Sequence, residues 1–136
     1  MKFLLDTDVL SEARRRRGDP GVRAWLNAQV ASDLAVSVIT ILELERGILG
    51  VGRRDPAQGA VLKAWLEDRV LDVFAGRILA VDLECARTLA ILDVPDRLPE
   101  RDGIIAATGI VHGLTVVTRN VRDLERTGVP LLDPWG

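Results

Sequence analysis

A short apolar run ends at a carboxylate in the segment Phe3-Leu4-Leu5-Asp6-Thr7-Asp8, and this segment indicates the class of fold. Three large apolar side chains in a row, without polar alternation, predict a short strand that is buried on both faces. Thr7 and Asp8 are typical helix-starting residues, and they predict a short helix through Ser11 and Glu12. A buried strand that leads directly into a helix is typical of α/β proteins with a parallel sheet.

The rest of the chain repeats this alternation of short apolar runs and amphipathic segments. Further strands are predicted at 34–36, 77–81 and 114–117, with a short fifth strand at 131–132. Helices are predicted at 20–32, 37–50, 55–74, 83–93 and 101–112. This order predicts a three-layer α/β/α sandwich with a central, mostly parallel sheet. We expect residues 1–136 to form a single domain, because one domain typically spans ~100–200 residues.

Composition narrows the class of protein further. The 136 residues are 48% apolar, which excludes intrinsic disorder as the main state, and no apolar run reaches the ~18 residues of a membrane span. The start of the chain lacks a signal-peptide core, and the single cysteine, Cys85, excludes an internal disulfide, so we expect a reducing, cytoplasmic location. The single histidine, His112, excludes a His-rich metal site, and we interpret both residues as structural.

The charge balance argues mildly against a nucleic-acid binder. Twenty acidic residues oppose eighteen basic ones, which gives a net charge of −2 at pH 7 and no basic signature. The only dense basic run consists of Arg14, Arg15, Arg16 and Arg17, shortly after the first predicted strand. Such runs are usually solvated loops, but the position of this one near a strand end also suits contact with phosphate groups.

Acidic residues recur where strands end and where helices begin. Asp6 directly follows the first predicted strand, and Asp102 stands in the first turn of a small-residue helix that we expect to pack closely on the sheet. Glu43 lies inside the helix predicted at 37–50, on a face where two glycines leave space. For each residue alone, a helix cap, a favourable helix dipole or a local salt bridge is a sufficient explanation.

The end of the fourth predicted strand adds more oxygen ligands. Thr118 follows that strand directly, and Asn120 and Asp123 come shortly after it. Ligands of open parallel sheets bind beyond the carboxyl ends of the strands, so we expect these side chains to converge with Asp6. A cluster of carboxylates repels itself unless a cation offsets the charge, and hard divalent cations such as Mg²⁺ and Mn²⁺ prefer oxygen ligands. A metal site therefore explains the set better than four separate helix caps do.

At these residues the sequence resembles a known family. Four segments carry the likeness: 5–12 (LDTDVLSE), 37–47 (SVITILELERG), 102–107 (DGIIAA) and 118–123 (TRNVRD). Each segment is weakly specific alone, but four of them in this order and at this spacing are specific. Together they resemble the PIN domain, and they look most like the VapC/FitB type of toxin ribonuclease. The resemblance covers nearly the whole chain.

The resemblance implies a PIN-like α/β/α fold and metal-dependent cleavage of RNA by the toxin of a toxin–antitoxin pair. It places catalytic carboxylates on Asp6, Glu43 and Asp102. A fourth acidic position of the family falls on Asn120, where this chain has an amide, and Asp123 in the same motif is able to supply the charge instead. These five residues would hold one or two Mg²⁺ or Mn²⁺ ions, which activate a water molecule for attack on the phosphodiester.

The resemblance also implies supporting residues and partners. Thr7 and Thr118 look like hydroxyls that orient a ligand or water, and the arginine run is a candidate contact to the RNA substrate. The family implies a small antitoxin that blocks the site with a basic side chain, and a homodimer or toxin–antitoxin hetero-oligomer, with no membrane partner. The amphipathic segments 20–31 and 55–74 are candidate surfaces for these contacts.

Two other interpretations stay open from the sequence. Asp6 and Asp8 after a strand also resemble the first motif of haloacid-dehalogenase-type phosphatases, as nucleophile and general acid, although Glu43 and Asp102 would then have no role. Alternatively, Asn120 weakens catalysis, and the chain is a PIN-like module that binds RNA or a protein partner.

Overall fold

The computed structural model describes residues 1–135. The strands are β1 (Phe3–Leu5), β2 (Leu34–Ser37), β3 (Ile78–Leu79), β4 (Thr115–Val117) and β5 (Leu131–Leu132). The helices are α1 (Thr7–Arg14), α2 (Pro20–Asn27), α3 (Val38–Arg54), α4 (Pro56–Trp65), α5 (Leu83–Leu92), α6 (Glu100–His112) and α7 (Val121–Leu124). Short 3₁₀ turns occupy Ala31–Asp33 and Glu125–Thr127. Among the residues described, no helix is long and apolar enough to span a membrane.

The five strands form one parallel sheet with the order β3-β2-β1-β4-β5. The chain first builds outward from β1 through β2 to β3 and then returns to place β4 on the other side of β1. The strand order therefore reverses beside the carboxyl end of β1, which is where ligands bind in sheets of this kind. The amide of Asp6 extends the pairing, since it donates to the carbonyl of Val117 at 3.0 Å.

The core lies on both faces of the sheet, as the unbroken apolar runs predict. One face carries Leu5, Val36 and Val117, which pack with buried side chains of α1 to α4. The opposite face carries Leu4, Ala35 and Val116, which pack with buried side chains of α6 and α7. Neighbouring residues of a strand point to opposite faces, so each short strand contributes to both layers. The predicted three-layer α/β/α sandwich is confirmed.

Most predicted helix starts are also found, but the first one differs. Ser37, Asp19 and Asp55 each accept a backbone N–H as the N-cap of the following helix. The first helix is capped by Asp6, not by Thr7 or Asp8, and it runs on to Arg14. Asp6 thus ends the strand and begins the helix, which the sequence pattern of an apolar run followed by three polar residues did not distinguish.

The predicted helix at 55–74 changes its pitch and ends at Leu71, and a turn follows it. After α4 the chain continues as a π-helical segment over Leu66–Leu71. The buried side chains here are spaced four residues apart: Leu62, Leu66, Val70 and Phe74. In an α-helix, residues four apart are rotated by about 40° from each other around the axis, so a row of them moves off one face. The wider π turns offset this rotation and keep the four side chains on the buried face.

Helix α6 approaches the sheet closely, as its small residues predict. A Cβ on Gly109 would lie 2.9 Å from Cγ2 atoms of both Val116 and Val129. Its last residue, His112, is followed by Gly113 in the left-handed conformation at φ 65°, which ends the helix. The first turn of α6 carries Asp102, so the close packing holds this carboxylate at the edge of the sheet.

Candidate active site

Asp6 is a buried carboxylate at the carboxyl end of the central strand. Its side chain is 3% exposed, and its two oxygens accept three hydrogen bonds. Oδ1 accepts from the backbone N–H of Thr7 at 2.7 Å and from the guanidinium of Arg101 at 2.7 Å, while Oδ2 accepts from the hydroxyl of Thr118 at 2.8 Å. A carboxylate is buried only when charge or hydrogen bonds compensate it, so these contacts fix the position of Asp6.

Arg101 was not predicted as a site residue, and the structure places it among the carboxylates. Its Nη2 lies 2.7 Å from Asp6 and 4.0 Å from Asp8, and its Nε lies 3.1 Å from Oε1 of Glu43. The angle at Nε is poor, so this buried atom has no hydrogen-bond acceptor. Burial alone would lower the pKa of Arg101, but the hydrogen bond to Asp6 and the charges of Asp6, Glu43 and Asp8 raise it above its ordinary value.

The signal for Arg101 was available in the sequence. A carboxylate at the end of a buried strand requires a compensating group, and Arg101 is adjacent to Asp102 in the first turn of α6. Residues in that first turn face the edge of the sheet where Asp6 lies. The rule that a buried charge needs a partner would have directed the search to the basic residue nearest the other carboxylates.

Glu43 reaches the same point from the middle of α3. Its Oε1 accepts a hydrogen bond of 2.6 Å from the hydroxyl of Thr7, which also lies 3.2 Å from the hydroxyl of Thr40. The local salt bridge to Arg46 that the sequence allowed is not formed, and Arg101 is the cation beside Glu43. Thr7 thus connects two acidic residues, because its amide donates to Asp6 and its hydroxyl donates to Glu43.

Asp102 lies close to several other carboxylates. Burial raises the pKa of its carboxyl above the usual range; Arg101 opposes this rise, and the charges of Asp6, Asp123 and Asp8 add to it. Three further carboxylates therefore act on Asp102, together with the single guanidinium of Arg101. Excess negative charge on hard oxygen donors is the setting that a divalent cation fits.

Of the residues after β4, Thr118 contacts the acidic cluster directly, whereas Asn120 and Asp123 lie at its rim. Thr118 is buried, and its hydroxyl donates to Asp6 and accepts from the backbone N–H of Asn120 at 3.0 Å. The Asn120 side chain does not cap α7, although Asn120 stands at the N-cap position. Asp123 is exposed, and its charge acts on Asp102 across solvent. Both stay candidate ligands at the rim of the cluster.

The four arginines of the basic run are all exposed and make different contacts. The guanidinium of Arg14 stacks over the ring of Trp65 at 5.8 Å, and Arg15 pairs with Glu12 at 3.4 Å. The backbone carbonyls of Arg15 and Arg16 accept hydrogen bonds from Arg23, which fixes the loop and leaves the side chain of Arg16 in solvent.

A groove runs from the acidic cluster toward α4. It has a volume of about 220 Å³, and its walls include Thr7, Glu43, Arg14, Gly47 and Trp65. The exposed backbone at Gly47, where an added Cβ would meet nothing within 4 Å, keeps this groove open beside Glu43. One end of the groove is therefore acidic, and the other presents a cation stacked on an aromatic ring.

A parallel sheet with converging carboxylates at the switch in strand order defines an α/β protein with a hard-cation site, of the kind that acts on phosphate esters. The sequence profile of the PIN domain matches residues 3–130. The chain therefore belongs to the PIN-domain family, whose nucleases generally use a divalent metal.

Curated relatives and a solved structure agree with this assignment. The chain is 36% identical over 140 residues to plasmid stability protein StbB of Pseudomonas syringae, with 98% of each chain covered. It is 35% identical to VapC ribonuclease Y4jK of Sinorhizobium fredii, with 98% of this chain and 97% of the relative covered. The crystal structure of FitAcB from Neisseria gonorrhoeae superposes with a TM-score of 0.91 at 35% identity, with 98% of both chains covered.

The family assignment bears on the two alternatives. The predicted resemblance to the VapC/FitB type is confirmed. The phosphatase interpretation would leave Glu43 and Asp102 idle, whereas Glu43 is joined to Asp6 through Thr7 and Arg101, and the charge of Asp6 acts on Asp102. It has no further support.

Proposed function

We propose that this protein is an endoribonuclease dependent on Mg²⁺ or Mn²⁺ and the toxin of a toxin–antitoxin pair. One observation carries the proposal: four acidic side chains from β1, α1, α3 and α6 meet around a single arginine. The relatives named ribonuclease and toxin support the reaction class. We further propose that residues 1–136 form one PIN-like domain and act in the cytoplasm, where RNA is available.

The donor set fits a hard divalent cation. Asp6, Glu43 and Asp102 are the proposed ligands, with Asn120 and Asp123 at the rim. When bound, the metal lowers the pKa of a water and stabilises the charge that develops on the phosphodiester. No histidine serves as general base here, because His112 lies ten residues along α6 from Asp102, about 15 Å at 1.5 Å per residue.

The residues of the chain supply positioning. Thr118 and the Thr7 amide hold Asp6 from opposite sides, so its oxygens keep a fixed direction. The Thr7 hydroxyl holds Glu43 at the same place. Arg101 carries a guanidinium whose fork suits a phosphate as well as a carboxylate, and it stands where the phosphodiester of RNA would approach the acidic residues.

Cleavage of single-stranded RNA with Mg²⁺ or Mn²⁺, measured on single variants, tests this function. Asp6→Asn, Glu43→Gln and Asp102→Asn should each lower the cleavage rate by roughly 100-fold or more, since loss of a second-shell partner alone typically costs about 10–100-fold. Asp68→Asn is the matched control, because Asp68 is exposed on the π-helical segment, which carries none of the proposed ligands. Equal activity of Asp102→Asn and the control, or phosphomonoester hydrolysis without RNA cleavage, would refute the proposal.

The partner that we propose is a small antitoxin bound across the groove. The solved structures similar to this chain include FitAcB and toxin–antitoxin complexes. Exposed apolar side chains on α3 and α4, including Leu49 and Val61, offer a surface for a protein partner on the two helices that line the groove. Co-expression with the product of the neighbouring gene should yield a complex in which RNA cleavage is blocked. A homodimer or a toxin–antitoxin hetero-oligomer is the expected assembly.

A second candidate is a PIN-like module with weakened catalysis that acts by binding RNA or a partner. The amide of Asn120 favours it, because it replaces the charge of a fourth acidic position. Asn120→Asp separates the two candidates. A protein that binds Mn²⁺ but cleaves RNA only as the Asn120→Asp variant is a weakened nuclease, whereas cleavage by the unaltered chain supports the enzyme.

A further inference from the structure

The only cysteine and the only histidine of the chain lie side by side. Cys85, His112 and Asp82 each offer a ligand atom, and these three atoms all lie within 4.8 Å of one another. The sequence analysis interpreted Cys85 and His112 as structural and did not single out Asp82, which is 30 positions from His112. The fold brings together three different ligand types that no pattern in the sequence connects.

The packing of α5 on α6 builds this cluster. The two helices run antiparallel, since Leu89 of α5 contacts Gly103 near the start of α6, while Cys85 interacts with Thr108 farther along. One turn before Cys85 the chain reaches Asp82, and one turn after Thr108 it reaches His112. Asp82 is the N-cap of α5, and its Oδ1 accepts the backbone N–H of Cys85 at 3.0 Å.

The geometry suits a tetrahedral cation. Zinc bonds of about 2.0–2.3 Å place neighbouring ligand atoms roughly 3.3–3.8 Å apart, so a group within 4.8 Å needs only small side-chain rotations. His112 is exposed, and Asp82 is exposed but held at the N-cap of α5, whereas Cys85 is 1% exposed and fixed in the core. The sulfur of Cys85 lies 3.9 Å from the carbonyl oxygen of Ala80 and also interacts with the carboxylate of Asp82.

We propose that Asp82, Cys85 and His112 form a second cation site for Zn²⁺ or a similar borderline-soft divalent ion, with water as the fourth ligand. The thiolate and imidazole exclude Mg²⁺ as the preferred ion, because hard cations favour all-oxygen sites. This Asp–Cys–His site lies at the opposite end of α6 from Asp102, so it is independent of the nuclease site. The ion would join the first turn of α5 to the last turn of α6.

Binding must release a proton, because the metal takes the thiolate. Burial raises the pKa of the Cys85 thiol, and its hydrogen bond to Asp82 raises it further, so the sulfur is protonated at neutral pH until a cation replaces its proton. The proton leaves to solvent, and no oxidation occurs. The competing explanation is that the thiol merely reinforces the Asp82 cap of α5.

Titration of the full-length, chelator-treated protein with Co²⁺ distinguishes these explanations, because thiolate–cobalt charge transfer absorbs in the near ultraviolet. One equivalent of Co²⁺ should produce this band, and Zn²⁺ should displace it. Cys85→Ser should abolish the band, and His112→Asn should lower the affinity by more than about 100-fold, because loss of a partner that only orients a ligand typically costs about 10–100-fold. Asp6→Asn should leave the band unchanged, since oxygen ligands do not produce it.

Two further readouts make the result decisive. Zn²⁺ should raise the midpoint of thermal unfolding of the wild type but not of His112→Asn, whose exposed side chain is dispensable for packing. RNA cleavage with Mg²⁺ should be equal in both, so failure of this site is separable from failure of the nuclease. Absence of the thiolate band in folded wild-type protein, or equal Zn²⁺ affinity of Cys85→Ser and wild type, would overturn the proposal.

Discussion

The guanidinium Nη2 of Arg101 lies 2.7 Å from Oδ1 of Asp6, and this contact joins the first turn of α6 to the end of the central strand. The Asp6 side chain is 3% exposed and that of Arg101 is 30% exposed, so water reaches the Arg101 side of the pair but hardly reaches Asp6. Arg101 therefore carries the positive charge that makes burial of Asp6 tolerable. Arg101 offsets the same negative charge that a bound divalent cation would neutralise.

Arg101→Gln should lower the stability of the metal-free protein and raise its affinity for Mn²⁺. Loss of one partner of a partly buried ion pair should lower the free energy of unfolding by about 1–3 kcal/mol. The same loss removes the cation that competes for Asp6 and Glu43, so the affinity for Mn²⁺ should rise. Urea unfolding with and without Mn²⁺, together with Mn²⁺ titration by electron paramagnetic resonance, measures both effects.

Arg101→Lys is the matched control, since it keeps the charge but loses the fork. Its Mn²⁺ affinity should stay close to that of the wild type. If Arg101→Gln binds Mn²⁺ more weakly than Arg101→Lys does, Arg101 helps to organise the metal site and does not compete with the cation.

Asp102 should make the metal-free protein less stable as the pH rises. Burial and the carboxylates of Asp6, Asp123 and Asp8 raise its pKa in the folded state above the ordinary value of 3.8, which applies to the unfolded chain. Between these two pKa values the folded state binds more protons than the unfolded state does. The contribution of Asp102 to stability is therefore lost as the pH rises through this window, and at neutral pH the ionised carboxylate is unfavourable.

Asp102→Asn should consequently raise the free energy of unfolding at pH 7 and have little effect below the unfolded pKa. The same variant should abolish RNA cleavage, because a residue that costs stability and supplies activity is typical of a functional site. Urea unfolding at both pH values in the presence of a chelator makes the comparison, with Asp68→Asn as the control. A loss of stability at pH 7 in Asp102→Asn would show that the charge on Asp102 is compensated.

The difference between what the sequence predicted and what it missed has a physical basis. The apolar runs at β1, β2 and β4 are each buried on both faces. Unbroken apolar runs are typical of strands in a parallel sheet, so both the strands and the sheet were predictable from the sequence. Asp6 was selected because a carboxylate at the end of a buried strand needs compensation, whereas Glu43 and Asp102 were selected as further oxygen donors that the family resemblance also marks. Arg101 was missed because an arginine in a polar first turn is unremarkable until its partner is known.

The same reasoning explains the two residues whose surroundings were not foreseen. Cys85 and His112 were interpreted one at a time, and a single cysteine or histidine is most often structural. Their proximity depends on the antiparallel packing of α5 on α6, which is a tertiary contact between segments of ordinary amphipathic sequence. Hydrophobic periodicity in the sequence identifies the buried face of a single helix. The Asp–Cys–His cluster depends instead on how α5 and α6 are aligned against each other.

The Thr7 hydroxyl should matter more to activity than to folding. It donates to Oε1 of Glu43 at 2.6 Å, while the Thr7 amide that supports Asp6 belongs to the backbone. Thr7→Val removes the contacts of the hydroxyl to Glu43 and to Thr40 but keeps the amide contact to Asp6, so the cost in stability should be about 1–3 kcal/mol. The freed Glu43 side chain should lower the cleavage rate by roughly tenfold, since misplaced groups cost up to about 100-fold.

Thr7→Ser keeps the hydroxyl and is the control for this effect. Cleavage rates at saturating Mg²⁺, with unfolding followed by circular dichroism, separate the two readouts. Equal rates for Thr7→Val and Thr7→Ser would show that Glu43 is held without the help of Thr7.

Two glycines of helical conformation should respond in opposite directions to alanine. A Cβ on Gly109 would lie 2.9 Å from side chains of both Val116 and Val129, so Gly109→Ala should lower the free energy of unfolding by about 1–3 kcal/mol through overpacking. At Gly47 an added Cβ meets nothing within 4 Å, and Gly47→Ala should raise stability by up to about 1 kcal/mol through helix propensity. Urea denaturation of both variants makes the test. A stable Gly109→Ala variant would show that α6 moves away from the sheet at little cost.

The basic run should contribute to RNA affinity through charge alone. Arg16 and Arg17 are exposed, and no ion pair is formed by either in the part of the chain that the structure describes. If both contact phosphates, Arg16→Ala with Arg17→Ala should reduce the slope of log affinity against log salt by about 1.4, since each contact to a single strand contributes about 0.7.

The control is the double variant Arg53→Ala with Arg54→Ala, which removes the same charge at the exposed end of α3. RNA binding by the Asp102→Asn background, which avoids cleavage, measures both slopes. The loop has no role in RNA binding if the two double variants have the same slope, and the acidic cluster and its groove then supply the contacts.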